Sequence, residues 1–441
     1  MTTHSGKNQD SSNNYFLSIT IIGVLFFIFG FVTWLNGSLI PFLKIACELN
    51  QVEAYLVTLA FYISYTVMAL PMSAVLQKTG YKNGMVLGLI AMSAGALIFI
   101  PAAQTRTYAL FLLGLFVMGG GLTILQTASN PYIVVLGPKE SAAVRISFMG
   151  VANKFAGILS PLVFTAIMLH GMEKFSDVNL SLMDASQKAA AFNELASRLI
   201  LPYVTMAVIL LLLAAMVKFS PLPEIESGEE DSIKSNANAK TNVMQFPHLV
   251  LGAVALFFYV GVEVIAGDTI GMYGKNLGIE FFGKLTSYTM AFMVLGYMLG
   301  IISIPRFIKQ EKALIFSAVL GLVFSFGVIL TSTKSAGISS AVFGWMGIPA
   351  IPDSVFFLAL LGLANAMVWP ALWPLALEGL GKFTKIGSAI LIMGIAGGAI
   401  LPPLYGVLSS NYSPQNSYLI LLPSYLFILY YSLIGHKKRK W

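Results

Sequence analysis

The chain has 441 residues, 57% of them hydrophobic and only 10% charged, with a formal net charge of +7. Soluble domains carry about 25% charged residues, so this composition excludes an ordinary water-soluble domain. Cys47 is the single cysteine, which excludes a disulfide framework and a thiolate metal site.

Residues 1–16 form a polar tail whose only basic residue is Lys7. The apolar run that follows, 17–43, is too long for a signal-peptide core and is read as a retained helix. Eleven more runs succeed it: 53–76, 84–103, 108–136, 142–169, 199–219, 247–273, 285–305, 312–333, 354–377, 384–409 and 417–435. About 20 apolar residues suffice to span the hydrocarbon core, so these are twelve transmembrane helices. The polar stretch 170–198 is predicted to hold a short amphipathic helix around 185–195. Residues 220–246 hold Glu224, Glu226, Glu229, Glu230 and Asp231 before a Ser/Asn/Ala/Lys stretch, and read as a flexible linker. It divides the chain into six-helix halves, 17–219 and 247–435, ahead of a basic tail at 436–441. The predicted class is an all-α membrane protein of two pseudo-symmetric six-helix bundles.

Basic residues orient it. With both termini in the cytoplasm, inner segments hold 17 of the 26 Lys and Arg, and outer loops hold eight. The positive charge thus reflects topology and implies no nucleic-acid partner. One basic residue, Lys154, lies inside a helix.

The halves resemble each other. Gln126-Thr127-Ala128-Ser129-Asn130-Pro131, Met149-Gly150 and Ile158-Leu159-Ser160-Pro161-Leu162 return roughly 242–244 residues later. The second copies are Trp369-Pro370-Ala371-Leu372-Trp373-Pro374, Met393-Gly394 and Ile400-Leu401-Pro402-Pro403-Leu404. Two such halves commonly enclose a central ligand site near the bilayer midplane. Asn130-Pro131 and Trp373-Pro374 predict matched kinks in the fourth and tenth helices.

Ionisable groups at membrane depth are costly and mark function by default. Lys154, Glu263 and Asp268 stand out. Lys154 lies about 18 Å into its helix at 1.5 Å per residue, near the midplane. A carboxyl group there can take up a proton or ligate sodium; the alternative is an ion pair that only fixes packing. Glu263 and Asp268 are five residues apart and do not share one face of an ideal helix. Gly261, Gly267 and Gly271 permit a kinked or unwound stretch, or close helix contact, and only a break would let both face one cavity. Asn36, Gln126, Asn130, Asn153, Asn276 and Asn365 supply amides that match vicinal hydroxyls, and Trp34, Trp369 and Trp373 supply faces for a pyranose. The alternative for the amides is interhelical hydrogen bonding. His4, His170, His248 and His436 lie near loops or ends, and no nucleotide loop, zinc motif or nucleophile elbow is present, which disfavours an enzyme.

Five segments carry a family resemblance: FGFVTWLNGSLIP (29–41), TGYKNGMVLGL (79–89), LQTASNPYIVVLGPKESAAVR (125–145), YVGVEVIAGD (259–268) and ALEGLGKFTKIGSAILIMGIAGGAILPPLYG (376–406). The chain resembles the major facilitator superfamily, and within it the fucose/galactose/glucose–proton symporters. That resemblance implies proton-coupled monosaccharide uptake across a bacterial inner membrane. The family's first helix carries Asn-Asp, a proposed proton carrier, where this chain has Asn36-Gly37. Gln126 is the residue of the glucose/galactose members; fucose members have Glu. Asn153 matches a family asparagine, but the following Ser is Lys154. Glu263 matches the glucose/galactose branch, and the usual Ser at 268 is Asp268.

These departures predict a coupling carboxylate transferred from the first helix to Asp268, assisted by Glu263, with Lys154 as counter-charge. The expected substrate-binding set is Trp34, Asn36, Gln126, Asn130, Asn153, Asn276, Asn365 and Trp369. The expected function is cation symport of glucose, galactose or a related hexose. Proton coupling is the first reading; sodium coupling through Asp268 and Glu263, and drug/proton antiport, stay open. No cofactor beyond the coupling ion is expected, and the partners are a sugar and the bilayer around a functional monomer.

Overall fold

The computed structural model describes residues 5–135, 142–168, 175, 183–222, 242–304, 307–380 and 383–441. Twelve helices in it are long and apolar enough to cross a membrane. Numbered as spans 1 to 12, they are Phe16–Ala46, Gln51–Ala69, Lys78–Thr105, Tyr108–Ser129, Arg145–Met168, Ala185–Phe219, Pro247–Asn276, Phe282–Ser303, Gln310–Leu330, Asp353–Leu377, Ile390–Asn411 and Asn416–Lys437. Large apolar side chains face outward, among them Leu201 (72% exposed), Phe316 (62%) and Leu330 (77%). Such an apolar surface suits hydrocarbon as its solvent. The chain is a multi-pass membrane protein.

Several local expectations are refined. The helix that becomes span 1 already begins at Ser5, inside the stretch read as a tail. The short polar helix is observed as Ala185–Ser197, with a reciprocal capping box between Asp184 and Gln187. Residues 223–241 of the expected linker, and 136–141 of the loop after span 4, lie outside the described residues. The basic tail is tied to its own bundle: Arg439 pairs with Glu378, and Trp441 Nε1 donates to the Met244 carbonyl at 2.9 Å. Cys47 lies just beyond span 1, where burial pushes its thiol up to about 11.

The described backbone is not interrupted alike in the two repeats. Span 4 belongs to an unbroken helix, Tyr108–Val135, whereas span 10 is interrupted at residues 366–367, between Asp353–Asn365 and Val368–Leu377. Pro370 has no N–H to give the Ala366 carbonyl, so the interruption falls one turn before that proline. Pro374 likewise leaves the Pro370 carbonyl without a helical donor. Gln310 at the start of span 9 supplies one: its Nε2 donates to Pro370 O at 2.8 Å and Ala371 O at 3.2 Å. Span 1 is also interrupted, at Leu35, between helices ending at Trp34 and beginning at Asn36.

The internal repeat is visible in how helices cross. A Cβ on Gly119 of span 4 would stand 2.4 Å from the Phe61 carbonyl oxygen of span 2. A Cβ on Gly362 of span 10 would stand 2.0 Å from the Thr289 carbonyl oxygen of span 8. The two glycines are 243 residues apart, the period of the sequence repeat. Small residues at these crossings let backbones touch, which is how helices associate without a hydrophobic drive in lipid. Gly362→Ala is therefore expected to cost about 1–3 kcal/mol of stability through overpacking. Gly344→Ala, at a helical site with nothing within 4 Å of the added methyl, should cost much less. Thermal unfolding in detergent followed by tryptophan fluorescence compares them.

Candidate transport site

A cavity of about 170 Å³ lies between the two halves. Spans 1, 2, 4 and 5 line one wall, and spans 7, 8, 10 and 11 the other. It is smaller than the roughly 300–1,000 Å³ of drug-sized sites, which suits a small solute. Its residues come from the middles of the helices and from the halves nearer the termini: Phe26 to Trp34 in span 1, Ile146 to Lys154 in span 5, Trp369 and Pro370 in span 10. An even number of spans puts both termini on one side, and the cavity lies toward that side.

Its charged element joins the halves. Lys154 Nζ of span 5 lies 2.9 Å from Glu263 Oε1 of span 7, with side chains 10% and 11% exposed. Tyr259, one turn before Glu263, donates its hydroxyl to the same oxygen at 3.0 Å. The Lys154 ammonium also sits 4.3 Å from the Trp34 ring centroid, a cation–π contact. Burying two charges is expensive unless their remaining hydrogen-bonding capacity is met, and Tyr259 and Trp34 meet part of it. The Trp34 indole is itself clamped: a Cβ on Gly157 would come within 2.7 Å of it and one on Gly267 within 2.5 Å.

Around the pair the lining is neutral, polar and aromatic. Gln126 Nε2 donates to the Tyr65 hydroxyl at 3.1 Å, and Asn153 Nδ2 to the Phe26 carbonyl at 3.2 Å. Trp369 reaches the cavity and stacks on Trp373 with centroids 5.2 Å apart and planes at 21°. Of the anticipated substrate residues, Trp34, Gln126, Asn153 and Trp369 thus line one cavity. Asn36 does not; it is 1% exposed within the helix Asn36–Ala46. Asn365 is fully buried and its Oδ1 accepts from Tyr425 at 2.8 Å, an interhelical bond. Asn276 ends its helix and is exposed, away from the cavity. The Asn130 side chain lies outside the described residues. Tyr62, Tyr65, Tyr259 and Tyr297 also line it. The one sequence signal for any of them was the four-residue spacing of Tyr259 and Glu263, which places both on one helix face.

The anticipated charge arrangement changes. Lys154 pairs with Glu263, not Asp268. Asp268 is fully buried, does not line the cavity, and neither of its oxygens has a hydrogen-bond partner among the described residues. The break anticipated among the glycines exists, as a π-helical turn at Ile265–Thr269. Such turns recur at functional sites. Thr286 and Thr289 of span 8 donate to the Gly267 and Ala266 carbonyls at 2.7 and 3.1 Å, so the widened turn is braced from outside. It does not bring Asp268 to the cavity beside Glu263.

A sequence model described as Major Facilitator Superfamily matches residues 22–397. The chain belongs to that superfamily. Within it the chain groups with the glucose/galactose and fucose transporters. It is 32% identical over 431 residues to the glucose/galactose transporter of Brucella abortus biovar 1 (strain 9-941), covering 97% of this chain and 96% of that one. It is 27% identical over 409 residues to the L-fucose-proton symporter of Escherichia coli (strain K12), covering 91% and 89%. A crystal structure of the transporter FucP in the outward conformation superposes with a TM-score of 0.70 at 25% identity, covering 95% and 98%. The facilitator fold of two six-helix bundles, expected from the sequence, is thus the fold observed. In it the Lys154–Glu263 pair ties one bundle to the other across the central cavity.

Proposed function

We propose that this facilitator-superfamily transporter imports a monosaccharide, either glucose, galactose or a related hexose, together with a proton across a bacterial inner membrane. Both termini lie in the cytoplasm on this reading, which the bias of basic residues supports. The cavity of this structure then faces inward, and the chain works as a monomer.

The observation that carries the reading is the ion pair inside an otherwise neutral cavity. The two charges cancel, so the site favours an uncharged solute. Gln126, Asn153 and the tyrosine hydroxyls offer donors and acceptors for sugar hydroxyls, while Trp369 offers an apolar face. Glu263 is the proton acceptor on this reading. A proton arriving on its carboxylate removes the charge that holds Lys154, and the bundles lose a link between them. Release of that proton restores the pair. Sugar and proton are coupled because both bear on the same contact between bundles. Sodium ligation by Glu263 and Asp268 together is less well supported, since Glu263 is engaged by Lys154 and Asp268 lies away from it.

Uptake into proteoliposomes with labelled sugars, under proton and sodium gradients applied separately, tests this. Glucose or galactose should accumulate under an inward proton gradient at zero sodium. Accumulation only under a sodium gradient, or of none of the neutral hexoses, would overturn the proposal.

A further inference from the structure

Beyond the cavity, on the side away from the termini, the two bundles meet backbone to backbone. A Cβ on Gly37 of span 1 would stand 2.7 Å from the Gly267 carbonyl oxygen of span 7 and 2.2 Å from Thr286 Oγ1 of span 8. A Cβ on Gly271 would stand 2.8 Å from the Gly37 carbonyl oxygen. Ser38 Oγ closes the seam by donating to the Gly283 carbonyl at 2.6 Å. Every one of these contacts joins the first bundle to the second, so the seam must part when the transporter opens to that side.

The seam covers polar groups that nothing inside it uses. Asn36 precedes Gly37 and is 1% exposed, with its Nδ2 unpartnered. Asp268 follows Gly267 and is fully buried, with both carboxyl oxygens unpartnered. Buried polar groups are satisfied in the great majority of cases, so three such atoms beside one seam call for a use. The titratable groups around Asp268 are Tyr55 and Tyr62 of span 2, Glu263 of its own span, and Tyr418 of span 12, whose hydroxyl shares a 2.9 Å hydrogen bond with Thr269. None is a cation, and no basic side chain forms an ion pair with Asp268 among the described residues.

We propose that Asp268, next in sequence to the Gly267 crossing, is a separate loading site for the coupling proton, exposed only while the Gly37–Gly267 seam is open. The site at Glu263 faces the opposite solvent while the seam is closed. The proton binds the Asp268 carboxylate from the outer solution, is enclosed as the seam closes, and leaves by way of the cavity. Two carboxyls at two depths, each open to one side, give the transporter an entry and an exit for one ion. Gly37 has no side chain, and that is what lets the seam close. This inference rests on the proton-symport reading.

Chemical modification tests it without any transport step. A membrane-impermeant carbodiimide is added to the outer side of right-side-out vesicles, and the Asp268 peptide is assayed by mass spectrometry. Gly37→Leu wedges the seam, and labelling of Asp268 should rise roughly tenfold over wild type, since overpacking shifts a two-state equilibrium by about that much. Should Gly37→Leu fail to fold, the seam can be closed instead with Ser38→Cys and Gly283→Cys in a Cys47→Ser background. Oxidation should abolish labelling and reduction restore it. Labelling of Asp268 that is equal from the inner side, or unchanged by opening and locking the seam, would overturn the proposal. Failure of the symport reading looks different: labelling would follow the seam while sugar failed to accumulate under a proton gradient.

Discussion

Lys154→Met is expected to destabilise the protein by about 3–5 kcal/mol, while Lys154→Met combined with Glu263→Gln costs much less. The pair is almost completely withdrawn from solvent, with both side chains near one-tenth exposed. Removing the lysine leaves a carboxylate in a low-dielectric site with Tyr259 as its one remaining side-chain donor among the described residues. Removing both charges leaves a neutral amide that Tyr259 can still reach. The cavity is open to solvent on one side, so the single-variant loss should lie toward the lower end of that range. Thermal and denaturant unfolding of the three variants in detergent completes a double-mutant cycle. If the two single losses simply add in the double variant, the ion pair is not a coupled unit.

Glu263→Gln is expected to abolish accumulation of sugar against its gradient while downhill sugar movement continues. A gradient of 100 mV supplies about 2.3 kcal/mol per proton, enough to concentrate sugar roughly fiftyfold. Glutamine keeps the hydrogen-bonding shape of a protonated glutamate but cannot release a proton. The variant should therefore bring sugar to equal concentrations inside and outside and stop there. It should also lose the dependence of uptake on outer pH. An intact accumulation ratio in Glu263→Gln would place coupling elsewhere in the molecule.

The parts of this account that were legible in the sequence are those set by composition along one helix. Twelve apolar runs and a 242–244-residue repeat suffice to place the spans and pair the halves, because lipid demands helices of fixed length. Lys154, Glu263 and Asp268 stood out because charge at membrane depth is costly. What one-dimensional reading could not supply is which charges meet across the bundles. Lys154 and Glu263 are 109 residues apart, and Lys154 pairs with the residue that helix geometry brings opposite it, leaving Asp268 alone. A break at Ile265–Thr269 was legible in the local glycines, but its bracing by Thr286 and Thr289 is a tertiary contact. The interruption of span 10 before Trp369 follows from Pro370, yet the donor that Gln310 gives the Pro370 carbonyl is a tertiary contact. Tyr65 and Tyr297 entered the site without a sequence signal because tyrosine is common in membrane helices for packing reasons alone.

In the proposed mechanism sugar and proton cross together. Its most direct test is a pH electrode in a lightly buffered, de-energised suspension of sealed vesicles containing the protein. Adding glucose or galactose with no sodium present should raise the outer pH as protons enter with the sugar, and Glu263→Gln vesicles should give no such rise. Sugar entry without alkalinisation in wild-type vesicles, or alkalinisation that persists in Glu263→Gln, would contradict the account.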